Sequence, residues 1–137
     1  MQTRREFLVG CAGCALAAGA VGCAAVNPAP LVEADAQGGV PIAGKLEKPG
    51  DQIKVRLPGA EELVLVWRTA QGFGAASIEC THLGSEVHFN PSAGTLDCPS
   101  HGSRYDQNGK VLHGPAKAPL KPYRAALEGD RLRIRSA

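Results

Sequence analysis

The residues best equipped for chemistry sit in two short runs, Cys80-Thr81-His82-Leu83-Gly84-Ser85 and Cys98-Pro99-Ser100-His101-Gly102-Ser103. Each run supplies a cysteine, then a histidine, then a Gly-Ser pair. Two thiolates and two imidazoles form the ligand set in which cysteines hold one iron of a [2Fe–2S] cluster and histidines hold the other. Neutral imidazoles in place of two thiolates remove negative charge, so reduction becomes easier and the potential rises. Two simpler uses stay open on the residues alone. Cys80 and Cys98 could join in an ordinary disulfide, with the histidines incidental. A Cys₂His₂ zinc site is the other, although fingers usually set cysteine beside cysteine and histidine beside histidine, an order this chain does not follow. The remaining histidines read as ordinary polar residues, His88 on a short strand and His113 on the turn before Gly114-Pro115.

Something must hold two such runs side by side, and the flanking sequence is built for strands. Ile53-Lys54-Val55-Arg56-Leu57 alternates apolar and polar residues and stops at Pro58-Gly59. Glu62 to Thr69 (ELVLVWRT) is the most strand-like segment, with Trp67 as a core or strand-surface residue. A further strand is expected from Phe73 to Glu79. Tyr123 to Leu127 and Leu132 to Ile134 flank Glu128-Gly129-Asp130, a hairpin signal. No segment keeps a helical period. Between about Cys80 and Leu120 lies one long excursion that reads as mostly loop. The expectation is an all-β body over residues 41–137, preceded by a flexible linker over 27–40 rich in Ala, Pro, Gly and acidic or amide residues.

Composition agrees with that outline. The 137 residues allow one small domain and a leader, not two independent cores. With 17 Gly, 10 Pro and only three Phe, two Tyr and one Trp, short strands and frequent turns are favoured. A formal charge of +2 without a basic cluster excludes a nucleic-acid partner. Only Cys80 and Cys98 of the five cysteines lie in the body, so there is no multi-disulfide framework.

Residues 1–26 form the leader. Thr3-Arg4-Arg5-Glu6-Phe7-Leu8 precedes an uncharged Ala- and Gly-rich run to Val26. Twin arginines followed by Phe-Leu resemble the signal of the Tat pathway, which exports folded proteins; a general secretory signal is the plainer alternative. Either implies the periplasm or the periplasmic face of the inner membrane. Three fates stay open. The run could remain as a weak membrane anchor, be cleaved after Ala20, or be lipidated at Cys23. Ala20-Val21-Gly22-Cys23 looks like a lipobox with Ala in place of the usual Leu. Cys11 and Cys14 read as small apolar residues of the signal.

CTHLG and CPSHGSRYD together resemble the two cluster-binding loops of Rieske iron–sulfur proteins, from about residue 40 to the C-terminus. The resemblance implies a three-layered antiparallel β sandwich with a small, loop-rich subdomain that carries one [2Fe–2S] cluster. It implies that Cys80 and Cys98 ligate the buried iron, and that His82 and His101 ligate the outer iron through one ring nitrogen each. Ser103 and Tyr105 match positions whose hydroxyls, in high-potential members, reach a bridging sulfide and a ligand cysteine sulfur. Such hydrogen bonds raise the potential. Gly114-Pro115-Ala116 and Pro119-Leu120 resemble the proline loop that covers the cluster from a third side. Subunits of cytochrome bc-type complexes carry a second cysteine in each loop, joined as a disulfide; Ser85 and Ser100 stand there, so the cross-link is not expected.

By the same resemblance the activity is one-electron transfer, with no catalytic site beyond the cluster. An exported subunit or carrier is expected, either quinol:cytochrome c reductase-like or the small subunit of a periplasmic oxidoreductase. Its partners would be a cytochrome or a larger redox subunit, a quinol, and a membrane reached through the N-terminus. Alternatives are a ferredoxin-like component of an oxygenase system and a zinc-stabilised binding module without redox activity.

Overall fold

The structure, a computed structural model, describes residues 28–137; the leader and Cys11, Cys14 and Cys23 lie outside the described residues. Among the described residues all regular structure is strand. The strands are β1 (Leu31–Glu33), β2 (Gly39–Pro41), β3 (Gln52–Arg56), β4 (Leu63–Arg68), β5 (Phe73–Ser77), β6 (His88–Asn90), β7 (Thr95–Asp97), β8 (Arg104–Tyr105), β9 (Val111–His113), β10 (Pro122–Glu128) and β11 (Arg131–Ser136). They build a seven-stranded sheet in the order β1-β3-β4-β5-β10-β11-β2 and a four-stranded sheet in the order β6-β7-β8-β9. Neighbours run antiparallel except β1 and β3, which pair in parallel.

β4 explains how the two sheets stack. Its run Leu63-Val64-Leu65-Val66-Trp67 is apolar at every position because both of its faces are buried. Val64 and Val66 point into one core with Ile53 and Val55 of β3, Leu132 and Ile134 of β11, and Val40 of β2. Strands far apart in sheet order share that core, so the large sheet curls over on itself. Leu65 and Trp67 point the other way, into a second core with Phe89, Leu96 and Tyr105 of the small sheet and with Cys80 and Cys98. Three layers result. Trp67 is fully buried and stacks on Phe89, with ring centroids 5.6 Å apart. Its cross-strand partner is Gly74, where a Cβ would overlap the indole.

The hairpin is present: Glu128 pairs with Arg131, and Gly129 turns the chain at φ +64°. Two expectations need correction. Of the expected linker 27–40, the described residues 28–40 are not a linker, since they contribute β1 and most of β2, and Ala29 and Val40 are buried. Few apolar residues are needed when the edges of an existing sheet supply the backbone partners. The turn between these strands is held by Asp35, whose carboxylate accepts the Gln37 and Gly39 amides and faces Arg131 and Arg133. The excursion from Cys80 to Leu120 is likewise not mostly loop: it contains the whole four-stranded sheet, with His88 opening β6 and His113 closing β9. These strands have two or three residues each, too few to show a period of two.

Candidate metal centre

The two runs fold alike. In the first, the Cys80 amide donates to the Ser85 carbonyl at 2.8 Å and the Gly84 amide to the Cys80 carbonyl at 2.8 Å. In the second, the Cys98 amide donates to the Ser103 carbonyl at 2.8 Å and the Gly102 amide to the Cys98 carbonyl at 3.0 Å. Both loops turn through a left-handed glycine, φ +77° at Gly84 and +81° at Gly102, a conformation that a side chain resists. The first loop hangs from the end of β5 and the second joins β7 to β8, so the two sheets bring them face to face.

This geometry sorts the donors by type. Cys80 and Cys98 are buried in the second core, and both are free thiols, so they are not joined as a disulfide. His82 is half-buried and His101 exposed, and their rings meet edge to face with centroids 4.8 Å apart. The donors therefore sort into a buried thiol pair and a more exposed imidazole pair.

The protons around the thiols are unevenly held. Burial works against a Cys80 thiolate, but hydrogen bonds from the Tyr105 hydroxyl and the His82 backbone outweigh it and hold the pKa below that of an ordinary thiol. Burial pushes Cys98 up, and the neighbouring Cys80 pushes it further the same way. Tyr105 is also raised, first by burial and then by Cys80.

Tyr105 is fully buried, with its hydroxyl 3.2 Å from Cys80 Sγ. Ser103 is equally buried, and its Oγ accepts the Ala116 amide at 3.0 Å. The Thr81 hydroxyl donates to the Ala118 carbonyl at 2.7 Å. Residues 114–120 are thereby fastened to both loops, and Ala116 and Leu120 fill the core that holds the two cysteines. Thr81 escaped sequence reasoning because its partner is a backbone carbonyl 37 positions away, which no residue type can announce.

His88 and His113 do not join the centre. They stand at the two ends of a row across the small sheet, His88 opposite Asp97, Asp97 opposite Arg104, and Arg104 opposite His113. Ser85 and Ser100 leave no second thiol in either loop, beyond Cys80 and Cys98, with which the loops could be cross-linked.

A binuclear iron–sulfur group fits these residues. Two adjacent free thiols suit soft iron–sulfur chemistry. His82 Nδ1 is a buried nitrogen with no hydrogen-bond partner, as a nitrogen reserved for a metal would be.

Comparison with known proteins agrees. The chain is 34% identical over 154 residues to the cytochrome b6-f complex iron–sulfur subunit 2 of Trichormus variabilis, covering 98% of this chain and 85% of that one. It is 44% identical over 88 residues to a Bacillus subtilis protein named for a Rieske 2Fe–2S centre; the match takes in 58% of this chain but only 17% of that longer protein. Its fold resembles the cyanobacterial plasma membrane Rieske protein PetC3 from Synechocystis, with a TM-score of 0.52 and 28% identity over 62% of this chain and 86% of the other. The family of Rieske [2Fe–2S] domains matches residues 40–124, the span that holds both loops and their supporting strands. The chain belongs to the Rieske [2Fe–2S] family, and one such cluster is its cofactor.

Proposed function

We propose that Cys80 and Cys98 hold one iron, that His82 and His101 hold the other, and that the protein passes single electrons as an exported subunit or carrier. The observation that carries this reading is the sorting of the donors, thiols buried and imidazoles more exposed with their rings 4.8 Å apart. A bound cluster supplies a one-electron couple. The chain's own residues do the rest. The buried cysteines keep one side dry, and the exposed imidazole edge offers a partner the shortest approach. Leu83 beside it, 68% exposed, gives that partner an apolar contact. The Tyr105 hydroxyl next to Cys80 Sγ, and the Ser103 hydroxyl in the same core, favour the more negative, reduced state.

The Trichormus and Synechocystis relatives support a membrane-associated role. The twin-arginine leader supports export to the periplasm with the cluster already in place, and Cys23 is the candidate point of lipid attachment. A cytochrome or larger oxidoreductase subunit is the proposed partner, and a quinol the candidate donor. Ser85 and Ser100 favour a second reading, a ferredoxin-like carrier, because the loop cross-link of bc-type subunits cannot form.

Visible and EPR spectra of the purified protein test the ligand assignment. A Rieske signal that disappears in Cys80→Ser and in His101→Ala supports it, and a signal that survives either change overturns it. The midpoint potential separates the two readings, within a family range of about −150 to +300 mV: a value near the top favours quinol chemistry, one near the bottom the carrier. Arg4→Lys with Arg5→Lys should leave the protein in the cytoplasm, and undiminished export would remove the Tat assignment.

A further inference from the structure

We propose that Thr81 tunes the redox potential by competing with the Cys80 sulfur for the single hydrogen of the Tyr105 hydroxyl. The inference rests on Cys80 being a cluster ligand, as proposed above.

The hydrogens around the phenol can be counted. Thr81 Oγ1 lies 2.7 Å from the Ala118 carbonyl oxygen, which can only accept, so the threonine's one hydroxyl hydrogen is committed there. The Thr81 backbone amide donates to the Tyr105 hydroxyl oxygen at 3.2 Å. The phenol is left with one hydrogen and two acceptors, Cys80 Sγ at 3.2 Å and Thr81 Oγ1 at 3.1 Å. A ligand thiolate carries no hydrogen, so toward sulfur the phenol must be the donor. Toward Thr81 it must also be the donor, because the threonine has nothing left to give.

Neither acceptor takes the hydrogen outright. Sulfur is the weaker acceptor, but 3.2 Å is close for an atom of its radius. Oxygen is the stronger acceptor, but 3.1 Å is beyond the usual O–H···O distance of about 2.7–2.8 Å. The hydrogen is shared, and the Ala118 contact keeps the share constant by fixing the Thr81 hydroxyl as an acceptor. Whatever share falls to Thr81 is withdrawn from the sulfur. A weaker hydrogen bond to sulfur stabilises the reduced state less and lowers the potential.

Voltammetry on the intact, cluster-loaded protein tests this with a double-mutant cycle. Thr81→Val removes the competing acceptor and is expected to shift the midpoint potential upward; Thr81→Ser keeps the hydroxyl and should stay near the wild-type value. Tyr105→Phe should shift it downward. In the Tyr105→Phe background, Thr81→Val should shift nothing, since no hydrogen remains to redistribute. An equal upward shift in both backgrounds would mean that a loosened 114–120 segment and water entry cause it, and the inference fails. No shift in either background overturns it as well. Should Thr81→Val lose the cluster, Thr81→Ala gives the same reading with less bulk; if both lose it, the hydroxyl is a structural tie and not a tuner. Failure of the underlying ligand assignment looks different, with Tyr105→Phe leaving the potential unmoved and Cys80→Ser retaining the Rieske signal.

Discussion

The two cores of this small protein are built on different terms. The core inside the curled sheet is filled by Val40, Leu46, Ile53, Val55, Val64, Val66, Leu132 and Ile134, all without polar side-chain atoms. Its one phenol, Tyr123, reaches Glu62 at 3.1 Å and is satisfied. The core under the site holds two thiols and the Tyr105 hydroxyl, with the Ser103 hydroxyl buried alongside. The first closes on itself through apolar burial. The second carries its thiols and hydroxyls among apolar side chains, and a cluster held there by Cys80 and Cys98, as proposed above, would couple metal binding to folding. We therefore expect one half to act as a scaffold and the other as a socket whose stability depends on its contents.

The largest effect should follow from emptying the socket. Cys98→Ser is expected to abolish the Rieske EPR signal, while hydrogen exchange in β3, β4 and β11 stays protected and that in β6 to β9 rises. Loss of protection in both sets together would show one cooperative unit and break the distinction between scaffold and socket. Ile53→Ala probes the other side. It removes buried methyl groups from the scaffold core and should lower unfolding free energy by about 2–5 kcal/mol, with the EPR signal and midpoint potential unchanged. A shifted potential would mean that packing strain crosses β4 into the site.

β4 is where such strain would pass, because Val64 and Val66 serve one core and Leu65 and Trp67 the other. Gly74→Ala presses a methyl group against the Trp67 indole, which in turn stacks on Phe89 of the small sheet. Overpacking of this kind costs about 1–3 kcal/mol. Chemical denaturation measures the loss, and a broadened EPR line at full cluster occupancy would show Trp67 transmitting the displacement. A neutral result would show that the two cores are insulated from each other.

The two candidate ligand runs were legible in the sequence because the signal was local: cysteine, histidine and a glycine, which the fold turns left-handed at both Gly84 and Gly102. The strands from Gln52 to Ser77 and the β10–β11 hairpin were legible from alternation and turn chemistry. What escaped was non-local. β1 takes its strand conformation from a parallel edge on β3, and an Ala- and Pro-rich composition concealed that. The small sheet escaped because strands of two or three residues have no period to read. Thr81 escaped because its role is defined by Ala118, far along the chain, and by a phenol it shares with Cys80.

The smallest effect concerns His88, which belongs to the socket side without belonging to the site. It opens β6, opposite Asp97, and its Nδ1 is buried without a partner. Burial pushes its pKa below the ordinary value of 6.5; Glu86 works against that shift, and Lys54 adds to it. The folded chain therefore holds His88 neutral at a pH where the unfolded chain would bind a proton. The stability this contributes is complete above about pH 6.5 and declines as pH falls toward the lowered folded value. Hydrogen-exchange protection of β6 and β7, corrected for intrinsic rates, should thus fall as pH drops below about 6.5 more than that of β3 and β4. His88→Gln should flatten the difference. If the glutamine variant keeps the same slope, the pH sensitivity does not arise at the buried imidazole, and His88 has no part in holding the socket.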